Sequence, residues 1–142
     1  IWGPGWNKLP VESSLKKCIR GFHTKPEEWV KIYSATRIAI IVHYQDMKGN
    51  LPCYQASPKV FEVLACGALL VVDDQRDVLS LFESGRHLVV YHNHKELREI
   101  ISYYLEHPDE AGKIAQQGRK AVIENHTFRH RVDEMLGIIK KE

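Results

Sequence analysis

Long apolar runs are missing from this sequence: none approaches the roughly 18 or more residues needed to span a bilayer, so the chain reads as soluble protein. Cysteine is scarce. Cys18, Cys53 and Cys66 are odd in number and show no C-x-x-C spacing, which argues against a disulfide framework and against a zinc site. A reducing, cytoplasmic compartment fits best. An excess of one charge is lacking too, since 20 Lys and Arg against 18 Asp and Glu leave a formal charge of +2, too small to argue for nucleic acid. The basic residues Arg119, Lys120, Arg129, Arg131, Lys140 and Lys141 spread through predicted helices without aromatic partners and read as solvated faces. No internal repeat, low-complexity tract or linker is visible. There is no initiating Met and no signal-peptide pattern before "IWGPGW", so the chain reads as a piece cut from a longer protein.

What is present is ordinary globular composition, 44% hydrophobic and 27% charged, in 142 residues, the common size of one domain. Strand and helix patterns alternate from end to end. "IW" is a strand remnant before a Gly-Pro-Gly turn, residues 11 to 17 suggest a helix, and "CIRGF" is a short strand. Thr24 and Glu27 have capping-box spacing and open a helix through about Ala35. "RIAIIV", residues 37 to 42, is a buried strand, followed by a long loop rich in Gly, Asn and Pro. Ser57 caps a helix whose first residue is Pro58 and which Gly67 ends. The strand "ALLVVD", a short helix around "VLSLFE" and the strand "HLVVY" follow. Three helical faces close the chain: Leu97, Ile100, Ile101, Tyr104 and Leu105; Ala111, Ile114, Ala115, Gly118 and Val122; Phe128, Val132, Met135, Leu136 and Ile139.

Apolar strands alternating with helices predict a doubly wound α/β domain, Rossmann-like, with about five parallel strands flanked by helices. Ligands of such sheets sit beyond the carboxyl ends of the strands, which directs attention to the loops 3–7, 21–24, 43–57 and 73–77.

In "SPKVFEVLACGALLVVDD", residues 57 to 74, Glu62 interrupts an apolar helix. The helix start favours a phosphate through its backbone N–H groups and dipole, and Lys59 adds a point charge there. A carboxylate one turn further in can accept hydrogen bonds from a ribose diol. Phosphate first and ribose second is the order a nucleotide presents. Alternatively, Glu62 points outward and pairs loosely with Lys59 at i, i+3. The residues alone leave both readings open.

The order of segments resembles the C-terminal, donor-binding half of GT-B glycosyltransferases of the group 1 type. "IWGPGW" resembles a strand and glycine turn of that family, "CIRGFHTKPEEWVKIYSATRIAIIV" its strand, Gly, helix and strand block, and "SPKVFEVLACGALLVVDD" its Glu-Ala-x-Ala-x-Gly helix and following strand. "FESGRHLVVYHNHKELREIISYYLEHPDEAGKIAQQGRKAVIENHTFRHRV" resembles the closing Gly, strand and helices. Within the family, "ENHTFRHR" and residues 57 to 74 are most similar to the spore-maturation branch. The resemblance implies that Glu62 binds the ribose hydroxyls of a nucleotide sugar and that Ser57, Pro58 and Lys59 lie by the diphosphate. It implies further that Gly21, Phe22 and His23 lie near the base and that His43 faces the donor cleft. It implies no bound metal and no cofactor beyond the nucleotide-sugar donor, and an acceptor-binding half outside this sequence. Where the family often has a second Glu eight residues before position 62, this chain has Tyr54.

Rival readings are less well supported. "LLVVDDQRDVLSLFESG" resembles the start of a response-regulator receiver, but such a domain needs a phosphoacceptor Asp on a later strand roughly 40 residues on, whereas the next Asp after Asp77 is Asp109 in a "HPDE" helix start, and Asp73 and Asp74 read as a strand end and helix cap. His92 with His94, and His126 with His130, lack a third metal ligand and read as structural or surface residues. Cys66 reads as small packing beside Gly67. A non-catalytic nucleotide- or partner-binding module remains the alternative to the enzyme.

Overall fold

The computed structural model describes residues 1–2, 5–21, 25–43 and 54–140. The chain forms two compact units, Ile1–Ile32 and Tyr33–Glu142. In the first, among the described residues, "IW" and "CIRGF" meet as a single parallel bridge between Trp2 and Gly21, beside a hydrogen bond from the Arg20 N–H to the Ile1 carbonyl at 2.9 Å. Cys18 instead closes a short 3-10 segment, Ser14–Cys18, where a helix over 11 to 17 is predicted. The prediction of about five strands is therefore corrected to three among the described residues.

Those three lie in the second unit. Strands β1 (Ile38–Ile41), β2 (Leu69–Asp73) and β3 (Val89–Tyr91) form a parallel sheet in the order β1-β2-β3, with Ile41 beside Val72 and Asp73 beside Tyr91. The helices are α1 (Pro26–Ser34), α2 (Pro58–Cys66), α3 (Arg76–Leu81), α4 (His94–Glu106), α5 (Pro108–Asn125) and α6 (Phe128–Ile139). All five residues of β2 are buried, which is why "LLVVD" is apolar almost throughout instead of alternating. Its side chains still alternate in direction. Leu70 and Val72 enter a core with Val60, Val63 and Leu64 of α2, Val78 of α3 and Val122 of α5. Leu69 and Val71 enter a second core with Ala111 and Ala115 of α5, against which Leu97, Ile100 and Tyr104 of α4 pack. Helices thus cover both faces, as the sequence predicts.

Local chemistry fixes the helix ends. The Ser57 hydroxyl accepts from the Lys59 N–H, Pro58 occupies the first turn where its missing N–H is harmless, and Gly67 ends α2 at φ 78°. The Asn93 side chain accepts from the N–H groups of Lys95 and Glu96 at the start of α4. Gly118 brings α5 against α2 and the turn before β3: a Cβ there would lie 2.8 Å from Leu64 Cδ2 and closer still to the His87 carbonyl oxygen. The Arg119 Nε–H also bonds the Ala65 carbonyl at 3.1 Å, tying α5 to the end of α2.

The predicted apolar face of α6 exists but is not buried. Phe128 is 89% exposed, and Val132, Met135, Leu136 and Ile139 are exposed as well. A 3.6-residue period defines a face without supplying its partner. The predicted capping residue Thr24 lies outside the described residues; α1 runs over Pro26–Ser34.

Candidate functional site

The carboxyl ends of β1 and β2 meet the start of α2, and polar residues at these three places bond one another. β1 runs into His43 and β2 ends at Asp73, and their pairing brings the two side by side. Asp73 Oδ1 accepts from the His43 backbone N–H at 3.0 Å and from His43 Nδ1 at 2.7 Å. Asp73 Oδ2 accepts from Gln75 Nε2 at 2.7 Å. His43 Nε2 in turn accepts from the Ser57 N–H at 3.3 Å, which fixes the imidazole proton on Nδ1. Residues 43, 73 and 75 are only 5%, 4% and 6% exposed.

Burial alone would raise the Asp73 pKa. The hydrogen bonds from His43 and Gln75, the His43 amide and the attraction of the His43 ring outweigh it and hold the carboxyl below its ordinary value. A buried carboxylate with three donors is a rigid joint. It fixes where α2 begins relative to the sheet, and with it the position of Glu62.

Glu62 lies five residues beyond Ser57, about 7.5 Å along a helix at 1.5 Å per residue. It is half-buried, and its Oε2 is shut off from solvent with no hydrogen-bond partner among the described residues. The outward pair with Lys59 is not formed, since no ion pair joins the two among the described residues. Glu62 instead faces Tyr33 together with Cys66, one turn on. Burial, then the Glu62 carboxylate, then Cys66 raise the pKa of the Tyr33 hydroxyl. A buried carboxylate oxygen without a donor is costly, on the order of 1–3 kcal/mol or more for a charged group, and such an atom is the natural place for a ligand hydroxyl.

The other residues singled out in the sequence fall in different places. Lys59 and Pro58 are exposed at the start of α2, and the Lys59 N–H reaches the Ser57 hydroxyl at a long 3.4 Å. Gly21 is in the first unit, paired with Trp2. Phe22 and His23 lie outside the described residues. His43 is at the carboxyl edge, but its ring is enclosed and both nitrogens are engaged. Asp73 ends β2 as expected, but neither it nor Asp74 caps α3: the cap position is Gln75, which makes no side-chain capping bond.

The histidine pairs serve locally. His92 Nδ1 lies 3.0 Å from Glu96 Oε2, His130 completes a capping box with Thr127, and the His126 ring packs on Phe61 and Phe82. Among the described residues no three His, Cys, Asp or Glu side chains converge as a metal site, and no helix is long and apolar enough to cross a membrane.

Sequence reasoning missed the Asp73–Gln75 joint and the pocket next to it. The signal was present: a polar residue at the carboxyl end of each of two apolar strands, His43 and Asp73, which become neighbours once the parallel register is known. Beyond Gln75 an open pocket of about 580 Å³ is lined by Tyr54, Asp74, Gln75, Arg76, Leu79 and Ser80. The Arg76 guanidinium sits 5.4 Å over the Tyr54 ring.

Solved structures share this fold. Sucrose-phosphate synthase from Thermosynechococcus elongatus superposes with a TM-score of 0.73 at 15% identity, over 89% of this chain and 31% of that one. TarM matches with a TM-score of 0.61 at 14% identity, over 96% and 27%. HepE from Anabaena, solved in complex with UDP-glucose, matches at 0.58 and 17% identity, over 73% and 27%. The chain therefore spans about a third or less of the length of these structures, and identities this low establish the shared fold, of the GT-B kind, alone. No curated protein sequence matches it. Family comparison reaches further, because the model of the glycosyl transferase-like family matches residues 1–137, taking in the sheet, α2 with its buried carboxylate and the joint at Asp73; the chain belongs to that family.

Proposed function

We propose that this chain is the donor-binding half of a glycosyltransferase that moves a sugar from a nucleoside-diphosphate sugar to an acceptor held by a separate domain. The observation that carries the reading is the Glu62 Oε2, buried and without a donor among the described residues on a helix that starts at the carboxyl edge of a parallel sheet. In this reading the ribose diol donates to Glu62, the diphosphate lies by Ser57, Pro58 and Lys59, and Lys59 with the helix dipole stabilises the departing nucleoside diphosphate. His43 acts through Ser57, setting the helix start, and Gly21, Phe22 and His23 lie near the base. No metal takes part, so a chelator leaves donor binding unchanged. HepE, with the same fold and bound UDP-glucose, supports a nucleotide-sugar ligand. The setting is cytoplasmic polysaccharide biosynthesis, in the spore-maturation branch of the family, with the fragment alone inactive in transfer.

Screening UDP, GDP, ADP and dTDP by thermal shift identifies the nucleotide, because a ligand that binds only the native state raises its melting temperature. With that nucleotide, Glu62→Ala weakens binding by about 1.5–3 kcal/mol, the scale of a charge-assisted hydrogen bond, and leaves the melting temperature of the free protein in place or raised. Equal affinities of wild type and variant by calorimetry would refute the assignment.

A further inference from the structure

The pocket beyond Gln75 has a built-in polarity. At one wall the Arg76 guanidinium rests over the Tyr54 ring at 5.4 Å, and among the described residues no carboxylate pairs with it. A guanidinium held against a ring keeps its planar fork of donors fixed and open, the arrangement that takes a carboxylate or phosphate in two parallel hydrogen bonds. At another wall stands the half-exposed Asp74 carboxylate, with the His92 Nε2 at 3.8 Å and room to accept hydroxyls. Ser80 also lines the pocket, its hydroxyl donating to the Asp77 carbonyl at 2.8 Å. The floor is rigid because Gln75 is bonded to the buried Asp73.

An inorganic anion would meet Arg76 and be repelled by Asp74. A neutral sugar would satisfy Asp74 and leave the guanidinium unused. We infer that this pocket takes an anionic sugar, one whose carboxylate or phosphate group lies on Arg76 while its hydroxyls donate to Asp74. The volume of about 580 Å³ is ample for one or two sugar rings. Identifying that sugar as the one the donor carries rests on the proposed function above; the preference for an anionic sugar does not.

The test uses the full chain and sugars without nucleotide, followed by ¹⁵N NMR at the Arg76 side-chain Nε–H and the Ser80 amide. The probes are methyl β-glucuronide, glucose 6-phosphate, methyl β-glucoside and inorganic phosphate. At low salt the stronger of the two anionic sugars is expected to reach half-saturation at about ten-fold lower concentration than the glucoside, and that arm names carboxylate or phosphate as the group. Arg76→Ala abolishes the preference, read at Ser80. Arg76→Lys, a point charge without the fork, keeps only part of it. Equal responses to glucuronide, glucose 6-phosphate and glucoside, or a preference surviving Arg76→Ala, would overturn the inference. So would inorganic phosphate binding as well as either anionic sugar. If nucleoside diphosphates fail to bind while the Arg76-dependent preference holds, the donor reading falls and the anionic-sugar pocket stands.

Discussion

Replacing Gly118 with Ala should destabilise the protein although it improves the helix. Within α5 the change from Gly to Ala gains about 0.8–1 kcal/mol of intrinsic propensity. Against this, the new methyl group would lie 2.8 Å from Leu64 Cδ2 and would overlap the His87 carbonyl oxygen. Leu64 is fully buried in the core of the second unit and has little room to move. The His87 backbone is held by its N–H bond to the Glu83 carbonyl at 2.9 Å, and the adjacent turn by Gly85 to Leu88 at 2.8 Å. Overpacking against such neighbours costs about 1–3 kcal/mol or more, and an obstacle that includes backbone belongs at the upper end. The net loss is about 2 kcal/mol, or roughly 8 °C in Tm at about 4 °C per kcal/mol for a chain of this size.

Gly112 of the same helix provides the control. A Cβ there meets nothing within 4 Å, so Gly112→Ala should gain about 0.5–1 kcal/mol. Paired thermal and urea melts of the two variants read opposite signs in one helix. A Gly118→Ala protein melting at or above the wild type would show that α5 does not press on α2 as described.

Further outcomes follow from the joint and the caps. Asp73 has a folded pKa below its ordinary value, so its stabilising contribution is present above the unfolded carboxyl pKa, about 3.9, and is lost as pH falls through the folded value. The urea midpoint should drop on acidification below about pH 4, and less steeply in Asp73→Asn, whose amide sets a donor against those of His43 or Gln75 and lowers stability at pH 7; parallel acid profiles of the two proteins would exclude Asp73 as the titrating group. Asn93→Ala removes an acceptor that two backbone N–H groups share at 3.0 and 2.9 Å and should cost about 1 kcal/mol in urea melts. Ser57→Ala, losing a bond of 3.4 Å, should cost less, and the order of these two losses checks the cap geometry.

Much of the fold was legible because it is written in local chemistry. The strands within "RIAIIV", "ALLVVD" and "HLVVY" are unbroken apolar runs, and Ser57, Pro58 and Gly67 mark the ends of α2 by capping rules that need no tertiary information. Glu62 stood out because a carboxylate within apolar helix sequence requires an explanation. The strands expected in "IW" and "CIRGF" amount to one bridge among the described residues, and the buried face foreseen for α6 lies open, because strand pairing and burial depend on partners that periodicity cannot name.

The sequence by itself determined the alternation of strand and helix, the ends of α2 and the presence of an isolated acid on it, since each follows from dihedral preference, hydrogen-bond capping or apolar spacing within a few residues. Only the tertiary structure decided that Asp73 binds His43 instead of capping α3, that Glu62 turns its Oε2 inward, and that Arg76 meets Tyr54 across a pocket. Those contacts join residues 22 to 30 positions apart, or bury an atom beneath other elements. They exist only once the parallel register and the packing of α2 on the sheet have fixed which polar atoms lose water and which find each other.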